Sequence, residues 1–454
     1  MKSMKIGPNY DEMLNPMQLE EKYQKARELA KHDEFDPNNL FNITWKPNGT
    51  DVHKVLLPKA LTGVDANIIV MLGKHFPSGS HKVGPAYATM IEGYIDGLID
   101  PEKHTILGPS TGNFGIGVTY ISHLLKMPSI VIMPDNMSAE RYKRIKDYGG
   151  QLMLTPGTES DVILTLEKTH KLMKNPKYYA LAQFELMPNY RFHRHVTGHS
   201  AISAVKGIGN ERVRLFVSAP GSAGTLAAGD HLKTKFNECE IAAVEPYECS
   251  TLMNGGRGQH KIEGIGDKMC TLIHNVLNTD YLVLIKDDDS VKGLKVIYDG
   301  LEILKENGID HDTAMALKDM FGVSGICNIL ASIKMAKKLK LTDADNIVTM
   351  ATDGFDRYDS VLIDLEKREK TINHAVLSQW FYATFKGMDT ADIKPVKDAL
   401  SKEQLFKQKE SDWLKFGYKK SYLDAMKDPA FWEEAYQKVE YYNTTIKTLR
   451  KEQI

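Results

Sequence analysis

Residues 216–233 read FVSAPGSAGTLAAGDHLK. An apolar run, RLFVSAP over 214–220, enters a loop of small residues, and the loop opens a helix-like stretch over Thr225–Lys235. A buried strand that passes through Gly and Ser into a helix is the unit from which parallel α/β sheets are built. Gly221, Ser222, Ala223 and Gly224 leave the backbone open to close approach, and Thr225 adds a hydroxyl. Backbone N–H groups at a helix start attract anions, so a phosphate monoester suits this cradle. The P-loop spacing G-x-x-x-x-G-K-[ST] is absent, which argues against a nucleoside triphosphatase.

The same unit recurs on either side. Short apolar runs stand at NIIVML (67–72), HTILGP (104–109), SIVIMP (129–134), QLMLTP (151–156), YYALAQF (178–184), IAAVEP (241–246), YLVLI (281–285) and NIVTMATDG (346–354). None alternates strictly, as expected of strands covered on both faces. Helix-like stretches such as Gly115–Lys126 and Ser138–Tyr148 lie between them. The order predicts an α/β protein with parallel sheets. Met17–Lys31 reads as a polar surface helix. Beyond about Glu366 the chain turns rich in Lys, Glu and aromatics (WFYATF, FWEEAYQKVEYYN) with no strand signal, which predicts a helical extension on the α/β body.

The 454 residues suffice for about three domain-sized units or two large ones. A net charge of −1 offers no general attraction to nucleic acid or an anionic membrane. No apolar run approaches the ~18 residues that span a bilayer, and the N-terminal stretch has no secretory apolar core. Cys239, Cys249, Cys270 and Cys327 form no C-x-x-C and no zinc spacing, so no metal site is expected. They read as reduced cytosolic thiols in the core, and the expected location is cytoplasmic.

Two further loops carry candidate chemistry. In FPSGSHKVGPAYATM (76–90) a small-residue turn holds Lys82 near a helix start. Lysine condenses with carbonyls best when burial or a nearby charge lowers its pKa; taken alone, the stretch reads first as a surface turn with a solvated lysine. In GPSTGNFGIGVTY (108–120) a strand ends at a Ser/Thr/Gly/Asn turn that can aim N–H groups and hydroxyls at a carboxylate. The alternative is a tight strand–helix turn that uses glycine for its backbone freedom. A dinucleotide fingerprint G-x-G-x-x-G is absent.

A lysine turn, a carboxylate turn and a phosphate cradle in this order resemble the fold-type II pyridoxal-phosphate enzymes, the class of tryptophan synthase β and cysteine synthase. The resemblance runs from about Val55 to Tyr358. GSHKVGPA is similar to the G-A-H-K of tryptophan synthase β, which implies that Lys82 is the Schiff-base lysine, with His81 near the cofactor phosphate. STGNFG is similar to the T-S-G-N-T-G of cysteine synthases. It implies that Ser110, Thr111, Gly112 and Asn113 hold the substrate carboxylate, with Asn113 also on the cofactor's phenolic oxygen. GSAGT resembles their G-T-G-G-T phosphate loop and carries over Gly221, Ser222, Ala223, Gly224 and Thr225. ALAQFELMPNYRFH (180–193) resembles their Q-Q-F segment and implies that Gln183 touches the substrate carboxylate. AVEPYEC and HKIEGIGD (260–267) resemble a further pair in the same enzymes.

Some residues depart from those patterns. Phe114 and Phe76 replace a threonine and an asparagine, Ala223 replaces a glycine, and Ser110 stands where tryptophan synthase β has a catalytic glutamate. Where cysteine synthases place a serine on the pyridine nitrogen, in P-S-S-G-E-R-Y, this chain reads TDGFDRY (352–358), so that Asp353 or Thr352 takes the position. Asp353 is the expected partner; a carboxylate there holds the nitrogen protonated and strengthens the electron sink. The other reading of Asp353 is a helix cap.

The resemblance implies two parallel-sheet, three-layer domains of the tryptophan synthase β-like type with a helical C-terminal extension. Its expected divisions are an N-terminal segment (1–60) packing on the larger domain, a smaller domain with the lysine and carboxylate loop (61–186), a larger domain with the phosphate loop (187–365) and the extension (366–454). The implied cofactor is pyridoxal 5′-phosphate and the implied partner a small amino-acid substrate, in a homodimer. The implied reaction is cysteine synthase-like β-replacement through an aminoacrylate. The alternative is β-elimination of the cysteine desulfhydrase or serine/threonine dehydratase type, releasing a keto acid and ammonia.

Overall fold

The structure is a computed structural model that describes residues 4–110 and 112–453. Its strands are β1 (Lys54–Leu56), β2 (Asn67–Leu72), β3 (Thr105–Pro109), β4 (Ser129–Pro134), β5 (Gln151–Thr155), β6 (Tyr178–Ala180), β7 (Val213–Ser218), β8 (Glu240–Pro246), β9 (Tyr281–Ile285), β10 (Asn346–Ala351) and β11 (Ile393–Pro395). The helices that bear on the site are α1 (Val83–Ile95), α2 (Asn113–Leu124), α3 (Ala139–Asp147), α4 (Leu226–Lys235), α5 (Val323–Leu339), α6 (Ala399–Leu414) and α7 (Pro429–Glu452).

Two sheets form. One is four-stranded and parallel throughout, in the order β5-β4-β3-β6. The other is seven-stranded, in the order β1-β2-β10-β7-β8-β9-β11, with parallel central strands and antiparallel edges at β1 and β11. Every residue of β3, β9 and β10 is buried. That is why these strands read as continuous apolar runs: helices cover both faces.

All nine expected strands form. Two of the expected boundaries differ from the sheet pairing. β2 lies in the stretch assigned to the smaller domain, yet it pairs along its whole length with β10 of the larger sheet; parallel pairing to a strand far along the chain leaves no local signal. The C-terminal stretch is mainly helical but contributes β11 to the sheet edge. The N-terminal segment packs on more than the larger unit. Tyr10 Oη donates to Glu92 of α1, and Tyr120 Oη of α2 donates to the Glu34 carbonyl at 2.8 Å.

The extension is fastened at both ends. In α6, Trp413 Nε1 donates to the Cys270 carbonyl at 2.7 Å, and Lys409 Nζ donates to the His274 carbonyl at 2.6 Å. In α7, Arg450 pairs with buried Glu12 and also donates to the Gly7 carbonyl. The four cysteines are buried free thiols. Among the described residues, no helix is long and apolar enough to cross a membrane.

Candidate active site

Four loops that leave the carboxyl ends of β2, β3, β7 and β10 converge. In open α/β sheets this is the edge where ligands bind. The lysine turn is tied to the end of β10 by the His81 N–H, which donates to the Thr352 carbonyl at 3.3 Å, and by an isolated bridge between Ser80 and Asp353. Lys82 therefore stands buried at the N-terminus of α1. Burial pushes its amine down to about 8, against the opposing pull of Asp267 and Glu159. A lysine so placed has a sizeable neutral fraction near physiological pH, as a nucleophile or base requires.

The carboxylate turn lies next to it. Ser110 Oγ accepts from the N–H groups of Gly112 and Gly115, at 3.0 and 2.9 Å, and so holds the turn and the start of α2 together. Gln183 is buried beside the turn and donates to the Pro109 carbonyl at 3.4 Å. Gly112 is required here because a Cβ would stand 2.6 Å from Arg141 Nε. Thr111, expected in the same turn, lies outside the described residues.

The 220–225 loop opens α4. Ala223 is buried at φ 65, left-handed backbone that favours glycine. Ser222 Oγ accepts from Asn189 Nδ2 at 2.9 Å, and the hydroxyls of Thr225 and Ser218 are paired at 2.7 Å. The 260–267 stretch packs against this loop: the Gly266 N–H donates to the Pro220 carbonyl at 3.0 Å, and a Cβ on Gly221 would meet the Gly264 carbonyl at 2.6 Å. Asp267 arrives near Lys82 by this route. Its carboxyl is raised well above the usual range by burial and then by Glu159.

Asn113 and Asp353 are in direct contact. Asn113 Nδ2 donates to Asp353 Oδ2 at 2.6 Å, and Arg357 Nη1 donates to Asn113 Oδ1 at 2.5 Å. Tyr358 Oη also donates to Asp353, at 2.9 Å. Arg141 reaches the same knot: its Nη2 donates to Tyr358 Oη at 3.1 Å, its Nη1 to Ser138 Oγ at 3.1 Å, and it pairs with Glu263. Arg141, Asp353 and Arg357 are all fully or almost fully buried. Buried charges persist only when paired and hydrogen-bonded, as these are. Ser138 and Glu263, the partners of Arg141, also line a cavity of about 500 Å³ together with Glu159, His260 and Ser360; Lys82 and the 220–225 loop are not part of its lining.

Reading the chain alone misses Arg141, Glu159, His193, Glu263, Asp267 and Arg357 as site residues. His193, Glu263, Asp267 and Arg357 fall inside quoted motifs, and their polar side chains could have marked them. Arg141 sits in a strongly polar helix, α3, where nothing distinguishes it from its exposed neighbours.

A family model described as "Pyridoxal-phosphate dependent enzyme" matches residues 48–353, well over half of the chain. The chain belongs to this family. Within it, cysteine synthase from Staphylococcus aureus is 30% identical over 321 residues, covering 70% of this chain and 94% of that one. Cysteine synthase B from Campylobacter jejuni is 30% identical over 283 residues, 62% and 86% of the two chains. Among solved structures, O-acetylserine sulfhydrylase isoform 3 from Entamoeba histolytica superposes with a TM-score of 0.59 at 28% identity, covering 73% of this chain and 92% of that one. A hydrogen sulfide-producing enzyme from Fusobacterium nucleatum gives 0.58 at 25% identity, over 67% and 95%.

The cofactor of the family is pyridoxal 5′-phosphate, and the residues present fit it. Lys82 is a buried amine with a lowered pKa. The 220–225 loop brings small residues to the start of α4. Among the described residues, both ring nitrogens of buried His81 and Nε2 of buried His193 lack hydrogen-bond partners. Buried polar atoms are otherwise nearly always paired, so these mark where a polar ligand belongs.

Proposed function

We propose that this chain is an amino-acid enzyme working at the β-carbon, replacing a leaving group with an incoming nucleophile as cysteine synthases do. The observation that supports the reading is Lys82, a buried amine lowered to about 8 at a helix start, in a chain 30% identical to a cysteine synthase over most of that protein's length. When bound, pyridoxal phosphate supplies an electron sink for the substrate's α-carbon.

The chain's own residues do the rest. Lys82 would hold the cofactor and would serve as general base for the substrate's α-proton. Its lowered pKa suits both tasks. Ser110, Thr111, Gly112, Asn113 and Gln183 fix the substrate carboxylate. Gly221, Ser222, Ala223, Gly224 and Thr225 hold the phosphate, with His81 close by. Asp353 would be the partner of the ring nitrogen; its Oδ2 accepts from Asn113 and Tyr358, and its Oδ1 also lies 3.1 Å from Tyr358 Oη. Approach of the two sheets would exclude water.

Elimination to a keto acid and ammonia is the second reading. The likeness to a hydrogen sulfide-producing enzyme supports it. We further take the protein to be a cytoplasmic homodimer; exposed Leu400, Tyr422 and Tyr441 on the C-terminal helices support a contact surface there. Light scattering on the purified protein tests that point.

The deciding experiment is the visible spectrum before and after borohydride, with Lys82→Ala alongside. A yellow band that borohydride bleaches and the variant lacks is expected. A protein that stays colourless with added cofactor overturns the reading. O-acetylserine and related β-substituted amino acids are then offered with and without sulfide. A new amino acid formed only with sulfide supports replacement, whereas pyruvate formed without it supports elimination.

A further inference from the structure

Over residues 255–275 the chain forms neither helix nor strand, yet every residue of 269–274 is buried. A buried irregular stretch must find partners for its peptide groups outside regular structure. On one side this stretch meets the 220–225 loop and the neighbour of Gln183. The Gly266 N–H donates to the Pro220 carbonyl at 3.0 Å, and Thr271 Oγ1 donates to the Ser222 carbonyl at 3.0 Å. The Leu272 N–H donates to the Phe184 carbonyl at 3.1 Å.

On the other side the stretch is held by α6 of the C-terminal extension. Two consecutive side chains take both backbone groups of Cys270. Asp412 Oδ2 accepts its N–H at 2.9 Å, and Trp413 Nε1 donates to its carbonyl at 2.7 Å. Lys409, one turn earlier, donates to the His274 carbonyl at 2.6 Å. The spacing 409, 412, 413 puts the three on one face of the helix, and all three are buried. Asp412 Oδ1 also accepts from Arg257 Nη2, near the start of the stretch, at 3.2 Å. Thr271, which reaches the 220–225 loop, directly follows the residue that α6 grips. α6 lies beyond residues 48–353, so this brace belongs to the extension and not to the span that the family model matches.

We propose that Asp412 and Trp413 are positioning residues of the active site. By pinning Cys270 they set the places of Thr271 and Leu272, and through these the Ser222 and Phe184 carbonyls. The helical extension in this way shapes the 220–225 loop that receives the cofactor phosphate. The inference rests on the reading that pyridoxal phosphate binds in that loop.

The test uses holoenzyme and reads the cofactor dissociation constant together with the ³¹P resonance of the bound phosphate at saturating cofactor. Trp413→Phe keeps a ring in place and loses the N–H donor. It is expected to raise the constant about fivefold, the scale of one hydrogen bond to a buried carbonyl, and to shift the ³¹P signal. Asp412→Leu is expected to raise the constant about tenfold. Asp412→Asn, whose side-chain carbonyl can still accept from Cys270, is expected to stay within about twofold of wild type. Arg450→Gln is the control, because it breaks the Glu12 pair of α7 and leaves the 255–275 stretch alone. It is expected to lower the melting temperature while the constant and the ³¹P signal stay as in wild type. If Asp412→Leu does not fold, Trp413→Phe against Arg450→Gln carries the comparison. An unchanged constant and ³¹P signal in Trp413→Phe would overturn the proposal. So would losses that follow the melting temperature alike in Trp413→Phe and Arg450→Gln. In either case a bleachable band in wild type leaves the cofactor reading standing, whereas a wild-type protein that never takes up the cofactor overturns both.

Discussion

Asn113 donates to Asp353 at 2.6 Å, although 240 residues of chain separate them. The pair joins the carboxylate turn of the smaller sheet to the end of β10 in the larger one. Both residues were expected to meet the cofactor ring, Asn113 at its phenolic oxygen and Asp353 at its nitrogen.

From this contact, Asp353→Asn is expected to weaken any long-wavelength absorbance that forms on adding substrate, because a neutral amide cannot stabilise a protonated ring nitrogen. The internal band of the resting holoenzyme should change less. A substrate-difference spectrum identical to wild type would remove Asp353 from this role. The variant also leaves Arg141 and Arg357 short of a counter-charge, so the denaturation midpoint should drop.

Arg141 is expected to matter for stability more than its place in a polar surface helix suggests. Arg141→Gln strands Glu263 and Asp353 in the interior, a change that typically costs about 3–5 kcal/mol. Pairing it with Glu263→Gln should recover part of that loss; a double-mutant cycle in urea that shows strict additivity would sink the assignment. Because Arg141 Nε packs on Gly112, KM for the amino acid should rise by a larger factor than kcat falls.

The reaction of Lys82 with the cofactor is expected to follow the amine's own titration. With the amine pushed down to about 8, the rate of loading into apoprotein should rise between pH 7 and 9 and level off above that. Below the midpoint the amine is protonated and unreactive. Asp267 and Glu159 oppose the lowering, so Asp267→Asn should move the midpoint to lower pH. A midpoint above 10, the ordinary lysine value, would contradict the burial argument.

Ala223 sits at φ 65, where a Cβ is unfavourable. Ala223→Gly should be tolerated, with a net change in stability under about 1 kcal/mol, since glycine relieves the backbone but loosens the unfolded chain. Ala223→Val should release the cofactor, because a branched side chain cannot hold this conformation. Equal retention by both variants would show that the loop is not the phosphate cradle.

The chain by itself determined the class of fold and the three loops. Strands buried on both faces must be continuously apolar, and loops that approach a ligand must be small, so 67–72, 105–109, 213–218 and 346–351, with the turns after them, are legible residue by residue. Lys82 and the 220–225 loop stand out as candidates for the same reason, since the proposed chemistry rests on local motifs. Only the tertiary structure decided which charges meet. Arg141, Glu263 and Asp353 come from three distant stretches, and Trp45, Thr197 and His193 meet only in the fold. The physical reason is range. Periodicity and turn chemistry act over a few residues, whereas pairing a buried charge depends on partners that only folding brings within 3 Å.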